Sequence, residues 1–115
     1  MYYGMSSGAL QKMYVQGSLA NEEGTFVFEI KNMIDSGMVS GITKVNVDGK
    51  DVSVAGVTVE LAGKVREANA SLYVSYGAVL KIRVPGQLEA GEHTIQLTVN
   101  APELGQLTLP VTATI

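Results

Sequence analysis

The stretch LTLPVTATI, residues 107–115, alternates from end to end: Leu107, Leu109, Val111, Ala113 and Ile115 form one set, and Thr108, Pro110, Thr112 and Thr114 the other. Successive side chains of an extended chain point to opposite faces, so this period of two buries one set and wets the other, which a helix cannot do. The pattern recurs upstream. FVFEIK (26–31) groups Phe26, Phe28 and Ile30; VTVEL (57–61) groups Val57, Val59 and Leu61; AVLKIRV (78–84) groups Leu80, Ile82 and Val84; TIQLTV (94–99) groups Ile95, Leu97 and Val99. KMYVQG (12–17) reads as a first strand with Met13 and Val15 inward. Pro110 cannot donate a ladder hydrogen bond, which predicts an edge strand or a bulge at the C-terminal run.

Turn chemistry separates these runs. Asp48-Gly49 suits a two-residue hairpin, because both residues tolerate the positive φ that such a turn needs. Asn21 to Gly24, Ser36-Gly37, Pro85-Gly86 and Ala90-Gly91 are further breaks. KVREANASLYV (64–74) begins with residues compatible with one helical turn, but its β-branched and aromatic end favours a strand; MIDSGMVSG (33–41) is too short and glycine-broken for a helix. At 115 residues there is room for one core. The expectation is a single all-β domain, residues 1–115: an Ig-like or jelly-roll sandwich of about six to eight antiparallel strands with little or no helix. Residues 1–9 are expected to form an N-terminal arm, either disordered or docked.

Composition narrows the function more than it identifies it. The net charge is −3 with the basic residues scattered, so a nucleic-acid partner is not expected. Charged residues make up 17% of the chain against a usual share of about 25%, which leaves a less polar surface suited to contacts. No apolar run approaches the roughly 20 residues that span a bilayer, so no membrane role is expected. MYYGMSSGALQK lacks a basic start and an apolar centre, which predicts no signal peptide and a cytoplasmic protein; the sequon Asn69-Ala70-Ser71 then carries no glycan. There is no cysteine, which removes thiol nucleophiles, disulfides and zinc knuckles.

Motifs for catalysis are missing. The chain has no G-x-S-x-G, no G-x-x-x-x-G-K-[ST] and no G-x-G-x-x-G, and its one histidine stands in no metal-ligand spacing. Glu22-Glu23 and Asp48 with Asp51 are carboxylate pairs, but both lie at turns, where acids are solvated or bond the local backbone. No cofactor, no metal and no catalytic residue is therefore expected. Three residues remain as binding candidates. Tyr73 and Tyr76, in SLYVSYGAV, combine an apolar body with a polar tip and suit an interface or a sugar ring; the plainer account is two half-buried sheet residues. His93 is in step with Ile95, Leu97 and Val99, which places it inward at the rim of a strand, with one ring nitrogen on a loop carbonyl and the other on water.

The block VNVDGKDVSVAGVTVELAGK, followed by YGAVLKIRVPGQLEAGEHTIQLTV, joins a Val-Asp-Gly hairpin to a V-x-V strand and closes on a G-x-L-x-x-G-x-H-x-I-x-L-x-V hairpin. Over about residues 42–100 it resembles the small β subunit of C-glycoside deglycosidases and related small Ig-like β-sandwich proteins. The resemblance implies a non-catalytic chain beside a larger catalytic α subunit, with His93 the position that maps across. The functional expectation is thus an accessory or interaction protein whose partner is a second copy or a larger protein subunit, meeting through edge strands or the tyrosine-bearing face. Carbohydrate binding, as an accessory to a sugar-processing enzyme, is the alternative. An independent enzyme would need His93 to meet at least two carboxylates in a concave site.

Overall fold

A computed structural model describes residues 10–103 and 105–115; the expected arm, residues 1–9, lies outside them. The described residues form β1 (Ala20–Glu22), β2 (Thr25–Lys31), β3 (Gly37–Val39), β4 (Ile42–Val47), β5 (Lys50–Val52), β6 (Thr58–Leu61), β7 (Lys64–Glu67), β8 (Leu72–Val74), β9 (Val79–Pro85), β10 (Glu92–Ala101) and β11 (Gly105–Thr114). One sheet has the order β1-β2-β9-β6-β7, a second β11-β10-β4-β5, and β3 and β8 form a separate ribbon. All pairings are antiparallel. The all-β sandwich read from the alternation is the observed fold. The strands number eleven, above the expected six to eight, because β1, β3, β5, β7 and β8 are arms of only three or four residues, too short to alternate visibly.

The inward sets meet in one core. Phe28, Ile82 and Val84 from the first sheet and Val45, Ile95, Leu97 and Val111 from the second are almost completely buried in a single cluster. Their cohesion is the apolar area withdrawn from water, about 1.5–3 kcal/mol for each fully buried large side chain. The Asp48-Gly49 turn is as expected: φ is 51° at Asp48 and 88° at Gly49, and Val47 pairs with Lys50 across two loop residues. Ala62-Gly63 makes the same shape between β6 and β7 with φ values of 52° and 81°, although alanine rarely takes that conformation.

KMYVQG is not a strand. Met13 N–H donates to the Leu10 carbonyl and Tyr14 N–H to that of Gln11, both at 3.1 Å, which winds the chain into a helical turn. Met13 and Tyr14 are buried side by side, which a period of two forbids. This corner still serves β2: Tyr14 bridges Ile30, and Lys31 N–H donates to the Met13 carbonyl at 2.7 Å. Tyr14 Oη accepts the Leu19 N–H at 3.0 Å, so its phenol is satisfied in the core.

Pro110 does lie on an edge strand. Gly91 and Ile115 exchange both backbone hydrogen bonds, which fixes the alternation along β10 and β11. By that count the Gln96–Pro110 pair is a non-hydrogen-bonded one, and the proline nitrogen faces the open edge, where no N–H is needed. The other sheet edges carry Asn21 and Glu22 on β1, Lys64, Arg66 and Glu67 on β7, and Lys50 and Asp51 on β5. Charges and proline along edges oppose pairing with another chain.

Candidate functional site

Among the described residues six large hydrophobic ones stand exposed, and five of them lie in two short segments: Met33 and Met38, and Tyr73, Tyr76 and Val79; the sixth is Val65. The fold brings those segments together. Met38 and Tyr73 are direct cross-strand partners in the β3–β8 ribbon, so both point outward from the same face. Tyr73 and Tyr76 are each 60% exposed, which sets aside the half-buried account of them. The backbone N–H of Tyr76 donates to Ser36 Oγ at 2.8 Å, tying the loop after β8 to the loop before β3.

Asn32 is the hub behind this patch. Its Nδ2 donates to the carbonyls of Asp35 at 2.8 Å, Val74 at 3.2 Å and Ser75 at 3.3 Å, while Oδ1 accepts the Ile34 N–H at 3.1 Å. Its backbone bonds Ala78 and Gly77. A single asparagine thus bonds six backbone groups, four through its side chain and two through its own backbone, holding two loops in register. Nothing in the alternation flags it; an asparagine just after a strand is an ordinary turn signal.

The inner face of the ribbon closes an apolar cavity of about 330 Å³. Val39, Leu72 and Val74 roof it, with Ile30, Val59, Leu80 and Ile82 from one sheet and Ile42, Leu97, Val99, Leu107 and Leu109 from the other. Asn32, Asp35, Ser36 and Glu103 are the polar side chains along its margin.

His93 lies elsewhere. Asn100, seven residues further along β10, is hydrogen-bonded to Ser40 beside the ribbon. A strand rises about 3.3 Å per residue, so His93 lies some 23 Å along β10 from Asn100. Its side chain is only 12% exposed and both ring nitrogens are taken: Nδ1 stands 2.6 Å from Asp48 Oδ2 and Nε2 2.6 Å from the Glu89 carbonyl. The loop carbonyl is as expected, while the second partner is a carboxylate rather than water. Asp48 Oδ1 also accepts the Thr94 N–H at 2.8 Å, so the side chain joins the β4–β5 turn to β10.

Both groups facing the imidazole are acceptors, so both of its nitrogens need protons. The Glu89 carbonyl first, then the Asp48 carboxylate, raise the His93 pKa above its ordinary value against the opposing effect of burial. The Thr94 N–H first, then His93, hold the Asp48 carboxyl below its own. The signs follow. A raised histidine contributes stability that is full below its unfolded pKa of about 6.5 and is lost as pH rises through the folded value. A lowered aspartate contributes stability that is full above about 3.9 and is lost as pH falls through its folded value. Melting temperature against pH should therefore plateau between roughly 4 and 6.5 and decline above. His93→Gln should be less stable on that plateau and should lack the decline specific to His93; parallel curves for the two proteins would refute the pairing.

The chemistry open to His93 is correspondingly small. No serine, threonine or second carboxylate side chain bonds its ring, and among the described residues no group of three or more His, Cys, Asp or Glu side chains is placed to hold a metal ion. No helix of the described residues is long and apolar enough to cross a membrane.

No curated protein matches the chain. Among solved structures it is similar to the N-terminal domain of PorA at 17% identity, over 84% of this chain and 81% of that one, with a TM-score of 0.37. Residues 9–115 match the family described as hydroxymethylglutaryl-CoA reductase, N-terminal domain, and the chain belongs to that family.

Proposed function

We propose that this chain is a non-catalytic accessory domain that docks on a larger protein through the patch formed by Met33, Met38, Tyr73, Tyr76 and Val79. The observation that carries this reading is the concentration of five of the six large exposed hydrophobics among the described residues on one ribbon, its flanking loops and the start of β9. Exposed methionine and tyrosine are favoured at interface cores, and tyrosine supplies contact area with few torsions to freeze. The guarded sheet edges argue against assembly by strand addition and leave the tyrosine-bearing face as the contact surface.

Membership in a family of N-terminal domains supports the same reading, since it describes one part of a larger enzyme. The reductase chemistry named in that description would sit outside this chain, which lacks a dinucleotide fingerprint and whose histidine has both nitrogens engaged. The resemblance to the small subunit of C-glycoside deglycosidases points to a similar division between a catalytic chain and an accessory one.

Co-purification from the native host, with the captured partner then titrated in pure form, tests the proposal. Tyr73→Glu with Tyr76→Glu should weaken that binding at least tenfold, about 1.4 kcal/mol, while His93→Gln leaves it intact. Undiminished binding by the double variant would overturn the patch. Carbohydrate binding is the second reading, favoured by two solvent-exposed tyrosines three residues apart, Tyr73 on the ribbon and Tyr76 in the loop after it. It requires an oligosaccharide to raise the melting temperature of the wild type and not of the double variant.

A further inference from the structure

We infer that the cavity beneath the β3–β8 ribbon is a binding site for a single medium-length aliphatic chain whose polar end is not anionic. The cavity adjoins the docking patch and shares Met38 with it at the rim, but the ribbon turns Tyr73 outward and Val39, Leu72 and Val74 inward over the cavity. Among the described residues the walls are aliphatic side chains from both sheets with no aromatic residue, which suits a flexible hydrocarbon better than a flat ring. A cavity of about 150 Å³ accommodates one benzene, so one of about 330 Å³ holds roughly twice that, a chain of about ten to twelve carbons.

The margin selects the head group. Among the described residues Asp35 and Glu103 are the charged ones lining the cavity, with no lysine, arginine or histidine beside them. A carboxylate or phosphate leaving the chain would meet two acids and no base, whereas a hydroxyl or an ammonium would meet acceptors. Asn32 offers no free donor in compensation, because its amide protons are committed to the carbonyls of Asp35, Val74 and Ser75.

Gly37 provides the means to test this. It pairs with Val74, so a side chain at position 37 would share the inward face of Val74. Its φ is not in the left-handed region and an added Cβ would meet nothing within 4 Å, so a larger residue can enter without backbone strain. Gly37→Leu should fill the cavity from its roof.

Decanol, decylamine and decanoate, each below its micellar concentration, would be titrated into the full chain at low salt, with binding read by calorimetry and stoichiometry by native mass spectrometry. Decanol and decylamine should bind one per chain and decanoate at least tenfold more weakly. Gly37→Leu should reduce the affinity for decanol at least tenfold while keeping a cooperative melt. Ala70→Leu, from another part of the lining, serves as the second variant should Gly37→Leu fail to fold. Absence of binding by all three compounds, a preference for decanoate, or unchanged affinity in a folded cavity-filling variant would each overturn the assignment.

Discussion

Gly41→Ala is expected to destabilise this domain by about 4 kcal/mol, the sum of a backbone clash and a strained φ. Gly41 adopts φ +116°, a region that side chains rarely enter. A Cβ added there would meet the Ala68 carbonyl oxygen at 2.8 Å, the Asn69 Cα at 2.9 Å and the Asn69 carbonyl carbon at 3.1 Å. Every one of these is a main-chain atom, so no side-chain rotation relieves the contact. The neighbouring backbone cannot drift either: Ile42 N–H donates to the Ala68 carbonyl at 2.7 Å, and the Gly41 carbonyl accepts the Asn100 N–H at 3.0 Å. Separating the two strands of chain enough for a methyl group would break those bonds beside the cavity. Denaturant unfolding would measure the loss as a lower midpoint at unchanged slope. Gly37→Ala is the control, since its Cβ would meet nothing within 4 Å, and its stability should stay within about 0.5 kcal/mol of wild type. A Gly41→Ala protein as stable as the control would mean that the corner is not built as described.

That corner was invisible before the fold was known. Gly41 follows Ser40 in a segment with no alternation, and its constraint comes from Ala68 and Asn69, which are remote in sequence. The long strands were legible for the opposite reason. β2, β9, β10 and β11 each carry their own record of which side is wet, because period-two burial is a local pattern with a global cause. The Asp48-Gly49 hairpin was legible because the demand for positive φ falls on the two residues that make the turn. Ala62-Gly63 makes an identical demand, but alanine does not advertise it. KMYVQG is ambiguous because six residues with two inward candidates fit a strand and a buried helical turn alike, and the Tyr14 phenol in the core decides between them.

The site divides along the same line. Tyr73 and Tyr76 were identifiable as binding candidates from residue type, whereas Met33 and Met38 were not, because their segment has no period and joins the tyrosines only through the β3–β8 pairing. His93 was placed correctly at the inner rim of its strand by phase alone. Its partner Asp48 reads from the sequence as a turn carboxylate, and it does lie in the turn, but the turn folds back onto β10 and presents the carboxylate to the ring. Pairings of that sort depend on how turns are stacked in space, which neither spacing nor composition encodes.

Ile95 and Leu97 offer the sharpest test of the cavity, since they are inward neighbours on the same face of β10, exposed by 0% and 1%, and nearly equal in volume. Leu97 lines the cavity and Ile95 does not. Truncating a buried aliphatic side chain to alanine costs between about 2 and 5 kcal/mol, depending on the contacts it loses and the void it leaves. Ile95 is enclosed on all sides, so Ile95→Ala should forfeit a full set of dispersion contacts and create a new cavity, at about 4 kcal/mol. Leu97 already has part of its surface against open volume. Leu97→Ala should lose fewer contacts and merely enlarge an existing space, at about 2–3 kcal/mol. The two variants should also diverge with decanol: Leu97→Ala recovers stability as the alcohol occupies the widened space, and Ile95→Ala, whose void is sealed from it, gains no more than wild type. Equal losses in the two variants, with no differential rescue, would mean that the sheets close around Leu97 as tightly as around Ile95, and the ribbon would then roof nothing.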